Sequence, residues 1–391
     1  MGAKLKPISS SFEILESVNE NLTLFLFEEE GLVYSDIDKK LHLLNSLGMY
    51  VWLLFEEGFH KNAILELCIN RSQEQPNELG ELIEELNTLF VYARLPEDYH
   101  DEEEIWLEKI PDAHNSMTQG FYYKILDSKI VVNYCDQFSK KTIEPLLRVF
   151  TNSGQPFCDY MIEIKKSGEE YLICINGYDF SWQIPSQRLA AFFNDRIRKM
   201  VFTNSDYFLA SHAAVLSKGE KCLMMPAVSY SGKSTLSAAL SSANYQYFSD
   251  EMAVLDKAYQ ARPVPLGIGI KQGSWKVLNS YLPQLKSLKE QERWDGVPLK
   301  YVPVTEPIRH STTRKKVSHL VFPTYTHGSS AKLLPISTPQ AICQLFEAGF
   351  TMKYDFSIKQ VIELLSWVES VPAYKFVFSQ LDQAIESLEA L

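Results

Sequence analysis

The chain has 391 residues, of which 46% are hydrophobic and 12% aromatic, a composition that excludes a disordered protein. Its formal net charge of −11 argues against nucleic acid as a partner, since neutralising phosphates requires a basic surface. The six cysteines form no C-x-x-C pair, which indicates reduced thiols in a cytoplasmic protein. The sequence contains no signal peptide and no apolar run of about 18 residues, so no membrane partner is expected.

The first 96 residues are predicted to form a compact unit in which strands precede helices. Three runs that favour strands lie at residues 22–27, at 32–37 and between Lys40 and Asn45. Apolar residues then recur at helical spacing up to Gly58, at residues 60–69, and from Glu78 to Val91. The pattern therefore predicts three strands followed by three helices.

This order of elements resembles the PqqD-like fold, a small winged-helix-like domain that recognises leader peptides of ribosomally made, modified peptides. The resemblance covers about residues 20–96 and rests on Leu41-His42-Leu43-Leu44-Asn45 followed by Trp52-Leu53-Leu54-Phe55-Glu56-Glu57-Gly58. It implies that a leader binds as an added strand beside residues 40–45, in the groove against the third helix. An open strand edge offers unpaired amides and carbonyls for such pairing. A purely structural winged-helix domain is the alternative, and four glutamates in the third helix disfavour a DNA-binding one.

Residues 97–115 are rich in Asp and Glu and are predicted to form a solvated acidic linker. The remaining residues, 116–391, are expected to form one domain. Its first part alternates in the manner of strands and then shows helical spacing at residues 187–202. The predicted strands of that part lie at residues 122–126, 129–134, 159–165 and 170–176.

The region between Cys222 and Asp256 carries the most specific motif. An apolar run passes into a loop, and a helix is predicted to begin directly after Gly232. A phosphate-binding loop requires this order, because the first amides of the helix are unpaired and its dipole is positive at that end. The predicted nucleotide-binding residues are Ser229, Tyr230, Ser231, Gly232, Lys233, Ser234 and Thr235.

Two side chains of this loop carry the chemistry expected with ATP and Mg²⁺. Lys233 is placed to reach the β- and γ-phosphates, and the Ser234 hydroxyl to ligate Mg²⁺. The form G-x-x-x-x-G-K-[ST] is incomplete, because Ala227 fills its first glycine position and Tyr230 stands where small residues are commoner. The alternative is a chance Gly-Lys-Ser sequence before a helix.

Titratable residues flank this loop in the sequence. Asp250 and Glu251 follow a predicted strand at residues 245–248, and His212 lies in the apolar stretch 210–215. Acidic residues at the end of a strand beside a phosphate-binding loop usually hold the metal or orient the nucleophile. For His212, the alternative is a core histidine with satisfied hydrogen bonds.

The order of a histidine, a phosphate-binding loop and an acidic pair resembles the catalytic domain of HPr kinase/phosphorylase, and more closely the HPr-kinase-related kinases. The resemblance extends from about residue 116 to the C-terminus. The matching segments are Ser211-His212-Ala213-Ala214-Val215, Ser231-Gly232-Lys233-Ser234-Thr235, Phe248-Ser249-Asp250-Glu251, Arg262-Pro263-Val264, Leu320-Val321-Phe322-Pro323 and Val371-Pro372-Ala373-Tyr374.

This resemblance implies roles for individual residues. Asp250 is the general base toward a substrate hydroxyl, with His212 beside it and Lys233 as the third catalytic residue. Ser234, Asp250 and Glu251 are the implied Mg²⁺ ligands, although the family carries aspartate where this chain has Glu251. A family glutamate that precedes a glycine-rich signature has no counterpart, because no acid stands in front of residues 264–271.

The C-terminal part is predicted to contain loops at residues 263–273, a strand at 316–322, helices at 339–350 and 358–368, and a strand at 373–378 before a terminal helix. A basic cluster lies just before or within the first of these strands. One of its members is a candidate to stabilise the migrating phosphoryl charge, and solvated surface is the alternative. The cluster consists of Arg309, Arg314, Lys315 and Lys316.

The expected architecture is α/β and α+β: a winged-helix-like PqqD domain at residues 1–96, the linker at 97–115, and a P-loop HPr-kinase-like domain at 116–391. The combination predicts an ATP-dependent kinase that phosphorylates a Ser or Thr hydroxyl of a ribosomally synthesised precursor peptide held through its leader. The partner is then a peptide rather than nucleic acid or a membrane, and a homo-oligomer stays open. The alternatives are a catalytically weak, nucleotide-binding peptide scaffold and a nucleotide-gated regulator.

Overall fold

The computed structural model describes residues 6–7, 12–28, 30–37, 39–69, 75–91, 120–151, 158–179, 183–304, 313–353 and 356–391. The chain is mixed α and β, with its strands arranged in several sheets. The predicted linker at 97–115 lies outside the described residues. Within the part of the chain that is described, no helix has both the length and the apolar character needed to cross a bilayer.

The N-terminal elements are an antiparallel sheet and three helices. The sheet has five strands in sequential order, two more than the sequence predicts. The elements are β1 (Lys6–Pro7), β2 (Glu13–Glu16), β3 (Leu22–Leu26), β4 (Gly31–Ser35), β5 (Lys40–Leu44), α1 (Ser46–Glu56), α2 (Lys61–Ile69) and α3 (Pro76–Val91).

Strand β5 ends one residue earlier than predicted because Asn45 caps the following helix. The Asn45 side chain accepts a hydrogen bond from the Gly48 amide at 2.8 Å, which satisfies one of the unpaired amides of α1. Gly58 adopts φ +87° just past the end of this helix, as the sequence indicates. Trp52 and Val33 are fully buried in the core between the sheet and the helices.

The next elements form a second five-stranded sheet with order β10-β9-β8-β7-β6. They are β6 (Phe121–Ile125), β7 (Ser128–Asn133), α4 (Gln137–Leu147), β8 (Tyr160–Ser167), β9 (Glu170–Ile175), β10 (Tyr178–Asp179) and α5 (Leu189–Asn204). Helix α4 is absent from the sequence prediction, because its lysines and Pro145 obscure the apolar period. Asp136 nevertheless begins it with a capping box to Ser139.

The remaining elements contain the loop 227–232 and the sheets around it. They are β11 (Leu209–Ser211), β12 (Ala213–Lys218), β13 (Lys221–Pro226), α6 (Lys233–Ser242), β14 (Gln246–Ser249), β15 (Ala253–Leu255), β16 (Gln260–Arg262), β17 (Ile268–Lys271), α7 (Trp275–Leu278), β18 (Gln291–Glu292), β19 (Pro298–Val302), β20 (Lys315–Lys316), β21 (His319–Tyr325), β22 (Lys332–Pro335), α8 (Thr338–Ala348), β23 (Phe350–Met352), α9 (Ile358–Glu369), β24 (Ala373–Phe378) and α10 (Leu381–Glu389).

A six-stranded sheet with order β14-β12-β13-β21-β24-β22 carries the loop. Strand β13 forms an antiparallel hairpin with β12 and pairs in parallel with β21. Helix α6 begins at Lys233, after the six-residue loop 227–232. The strand, loop and helix order predicted for residues 222–242 is therefore confirmed.

Strand β17 corrects the prediction of loops at residues 263–273. It pairs in antiparallel register with β19, and Gly269 lies opposite Tyr301. A Cβ atom at Gly269 would lie 3.5 Å from the Tyr301 ring, and one at Gly267 would meet Leu146 Cδ2 at 2.7 Å. These glycines permit close packing here, rather than the turns that their sequence pattern indicates.

The chain divides into two compact units by its internal contacts. The first consists of residues 1–100, 336–344 and 354–370, and the second of 101–335, 345–353 and 371–391. The predicted kinase-like domain, 116–391, includes two of the stretches that here belong to the first unit.

Within the first unit, every residue of β4 is buried because both faces of the sheet are covered. On the face away from α1, the Tyr34 ring packs edge-on against Phe356, with ring centroids 5.7 Å apart. The Tyr34 hydroxyl donates a hydrogen bond to the Phe356 carbonyl, directly before α9. Glu30 accepts hydrogen bonds from Ser337 at 2.5 Å and from Gln340 at 3.1 Å. Residues far apart in the sequence therefore complete this unit.

Candidate functional site

The loop between β13 and α6 depends on backbone conformations that glycine adopts best. Gly232 has φ +90°, and a Cβ atom there would lie 3.0 Å from Phe378 and 3.2 Å from Tyr325. A glycine is therefore required both by the dihedral angle and by the close packing. Tyr230 also has a positive φ, of +69°, and its side chain is 76% exposed. The Ser231 carbonyl accepts a hydrogen bond from the Tyr325 amide at 2.9 Å, which fixes the loop on β21.

Lys233 and Asp250 meet beneath this loop. Lys233 is 6% exposed and Asp250 only 1% exposed. The Lys233 Nζ atom lies 3.8 Å from Asp250 Oδ1 and donates a hydrogen bond to the Asp250 carbonyl oxygen. Within the described residues, neither carboxylate oxygen of Asp250 has a hydrogen-bond partner. A buried carboxylate without hydrogen bonds is costly, and such groups are typical of functional sites.

Glu251 lies beside Asp250 and is held by an arginine of α5. Arg198 Nη1 donates a hydrogen bond to Glu251 Oε2 at 2.8 Å, and the same carboxylate oxygen lies 4.0 Å from His212 Nε2. Burial raises the pKa of the Glu251 carboxyl, but the charges of Arg198, Lys233 and His212 outweigh it, so the pKa falls below 4.5. Glu251 is therefore ionised at neutral pH.

His212 lies in the single-residue break between β11 and β12, so the apolar stretch 210–215 is not one continuous strand. Its amide donates a hydrogen bond to the Gly349 carbonyl at 2.8 Å, and its side chain is 34% exposed. Burial and the neighbouring Lys233 lower the pKa of His212 below 6.5, against the opposite effects of Glu251 and Asp250. The imidazole is therefore neutral at pH 7.

This pKa shift predicts a pH dependence of stability. Because the folded state binds the His212 proton more weakly than the unfolded state does, acidification through the ordinary histidine range lowers the free energy of unfolding. His212→Gln removes this contribution. We expect its melting temperature to fall less than that of the wild type between about pH 7 and about pH 5.5. The pKa of His319 is also lowered, but this residue is present in both proteins and contributes equally to both. Equal losses in the two proteins would contradict the shift.

The two hydroxyl residues at the start of α6 have different surroundings. Thr235 Oγ1 lies 2.6 Å from Ser274 Oγ, which belongs to the turn Gln272–Ser274 after β17. Thr235 thus ties that turn to the helix. Ser234 stands between Lys233 and Thr235 in the first turn of α6, the position predicted for a Mg²⁺ ligand.

The donors near Asp250 bear on the Mg²⁺ site predicted from the sequence. The described residues contain no cluster of three or more His, Cys, Asp or Glu side chains suited to a metal ion. Mg²⁺ with a nucleotide needs fewer protein ligands, because phosphates and waters complete its shell. Asp250, with both carboxylate oxygens unpartnered in the part of the chain that the structure describes, fits that need, and Ser234 stays a predicted ligand. Glu251 stays a predicted ligand whose Oε2 is engaged by Arg198.

The described members of the basic cluster proposed from the sequence lie away from the loop 227–232. Arg314 pairs with Asp256 at 3.3 Å. Lys315 donates a hydrogen bond to the Gly219 carbonyl at 2.9 Å, at the turn distant from the loop end of the β12–β13 hairpin. Arg309 lies outside the described residues. Two other cations act on the site, and the sequence pattern identifies neither. Arg198 binds Glu251 from α5, a helix for which the sequence indicates only an apolar stripe. Lys271 lies at the end of the unpredicted β17 and interacts electrostatically with Glu251 and Lys233.

A scan of the sequence against protein-family models gave no match, and no curated protein matches the chain.

Proposed function

We propose that this chain is an ATP-dependent kinase that phosphorylates a Ser or Thr hydroxyl of a ribosomally synthesised precursor peptide. The observation that carries the proposal is the Asp250 carboxylate, buried and without hydrogen bonds, 3.8 Å from the lysine of a phosphate-binding loop. The loop supplies a site for a polyphosphate, and the carboxylate supplies a base beside it. In a nucleotide-binding fold without chemistry, the same carboxylate would serve only as a metal ligand.

The proposed reaction uses groups already in place. The acceptor hydroxyl oxygen forms a bond to the γ-phosphorus while the bond from that phosphorus to the β–γ bridging oxygen breaks. Asp250 takes the hydroxyl proton, and ADP leaves with the electron pair of the broken bond. Lys233 moves from the Asp250 carbonyl to the phosphates, and this movement releases the carboxylate to the substrate. Ser234 and Asp250 would hold Mg²⁺, which would supply positive charge to neutralise the phosphates.

A small pocket, with room for about one water molecule, lies next to Asp250. Asp250, Glu251 and Arg198 form its polar wall, and Phe202 and Leu266 are among the apolar residues that line the rest. In the proposed reaction, neutral His212 lies beside the acidic pair without adding a second positive charge near Lys233, and Arg198 fixes Glu251 by an ion pair.

The first unit is proposed to hold the leader of the peptide. Strand β5 ends the sheet order, so within the described residues its outer edge pairs with no other strand. Leu43 on this strand is 40% exposed. An added strand beside β5, against α3, would bury that side chain and extend the sheet by one strand. Tethering through the leader would raise the local concentration of the acceptor segment at the kinase site.

Leu43→Glu tests this role without disturbing the buried core. A charge at the proposed contact is expected to weaken leader binding by roughly tenfold to a hundredfold, because an apolar contact is lost. The matched control is Leu67→Glu on α2, since Leu67 is 37% exposed and lies outside the proposed groove. Binding of a fluorescent leader peptide is measured for both variants. Equal affinities in the two variants would contradict the use of the β5 edge.

Mass spectrometry tests the function itself. The full chain is incubated with MgATP and with each peptide translated from short reading frames that flank its gene. We expect one peptide to gain a phosphoryl group on a Ser or Thr of its core segment. A chain that binds ATP and every leader tested but modifies none would instead be a nucleotide-binding peptide scaffold.

A further inference from the structure

A second lysine lies against the phosphate-binding loop. Lys271 ends β17, and its Nζ atom lies 4.0 Å from the centroid of the Tyr230 ring. A cation over an aromatic face is held by the ring quadrupole. Tyr230 stands where such loops usually have a small residue. Its ring thus holds the positive charge of Lys271.

The backbone that carries Lys271 is fixed to the nucleotide-binding helix. The turn after Lys271 reaches α6 through the Ser274–Thr235 contact at 2.6 Å. On its other side, β17 is paired with β19 along its whole length. The lysine therefore stands on rigid elements, and only its side chain needs to move in order to leave the ring.

The charges around Lys271 belong to the same site. Burial and the positive charges of Arg293 and Lys233 lower its pKa, whereas Glu251 and Asp295 act in the opposite direction. Within the described residues, Lys271 forms no ion pair of its own. Among those residues, its ammonium group is held only by the Tyr230 ring, and the charges of Lys233 and Glu251 reach it.

We propose that Lys271 moves from the Tyr230 ring onto a non-bridging oxygen of the γ-phosphate when ATP binds. It then balances the charge on the phosphoryl group during transfer, together with Lys233. This inference rests on the proposed function for its catalytic part, but contact with the γ-phosphate is testable without any peptide. It assigns the stabilisation of the migrating phosphoryl charge to Lys271 instead of to the basic cluster of Arg309, Arg314, Lys315 and Lys316.

The test compares the affinities of the full chain for MgATP and MgADP, measured by calorimetry. Lys271→Met keeps the length of the side chain and removes its charge. We expect it to lower the affinity for ATP roughly tenfold or more and to leave that for ADP nearly unchanged, because only ATP carries the γ-phosphate. Lys271→Arg should restore most of the ATP preference. The matched control is Lys276→Met, an exposed lysine of α7, which should retain the wild-type ratio.

Each outcome separates the two proposals. An unchanged ATP-to-ADP ratio in Lys271→Met overturns the role of Lys271 and leaves the kinase proposal standing. A ratio that collapses in a chain that phosphorylates no peptide supports Lys271 and overturns the kinase proposal. A wild-type chain that binds neither nucleotide overturns both. Tyr230→Phe, which retains the aromatic face, should behave as the wild type, whereas Tyr230→Leu should alter ATP binding severalfold.

Discussion

Asp250→Asn is expected to lower the rate of phosphoryl transfer by ~10²–10⁴-fold while MgATP still binds. The amide matches the carboxylate in shape but cannot take the proton of the acceptor hydroxyl. Because the amide matches the carboxylate in shape, no cavity opens at this 1% exposed position, but Lys233 is left buried without its counter-charge, so we also expect a loss of stability of the same order as in Lys233→Met. Asp256→Asn is the matched control, since Asp256 pairs with Arg314 away from the loop.

Steady-state kinetics with the modified peptide checks this expectation, together with calorimetric titration of ATP. A variant that loses ATP affinity but retains its rate at saturating ATP would show that Asp250 serves only as a metal ligand. A variant with unchanged transfer would remove Asp250 from the mechanism altogether.

Lys233→Met is expected to abolish transfer, since it removes the charge that reaches the β- and γ-phosphates. From the sequence, Lys233 belongs to the loop motif that opens the helix, and its loss is expected to leave the fold intact. The structure instead buries it at the first residue of α6, beside Asp250. Removing the lysine leaves the Asp250 carboxylate buried without its cation, so we also expect a loss of stability on the order of 3 kcal/mol.

A double-mutant cycle separates these two effects. Lys233→Met combined with Asp250→Asn removes both charges, so its stability should lie closer to that of the wild type than the sum of the single losses indicates. Chemical denaturation measures the four proteins. Additive losses would mean that the 3.8 Å contact contributes nothing to stability. Unchanged turnover in Lys233→Met would exclude the loop from the mechanism.

Local patterns predicted the elements around the site well. The apolar run, the loop glycine and the helical spacing after Lys233 are short-range signals, and β13 and α6 appear where these signals indicate. Asn45 is an exception, because the sequence pattern places it at the end of a strand, whereas it caps α1. His212, Lys233, Asp250 and Glu251 are brought together as the sequence interpretation expects.

Contacts between distant segments could not be predicted in this way. The glycines at 267 and 269 look like turn residues, although packing against Leu146 and Tyr301 explains them. The positions of Lys271 over Tyr230 and of Arg198 on Glu251 depend on how β17 and α5 pack, which no local period encodes. The contact of Phe356, directly before α9, with Tyr34 joins residues more than three hundred positions apart. The sequence prediction could not include this contact and therefore placed α9 in the kinase-like domain.

Single-turnover transfer of radiolabelled γ-phosphate from ATP to the precursor peptide tests the central claim most directly. We predict that the label appears on a Ser or Thr of the peptide with the wild-type chain. The label should remain on ATP with Asp250→Asn over the same interval. Label found only as free phosphate, or transferred equally by both proteins, would contradict a kinase in which Asp250 takes the acceptor proton.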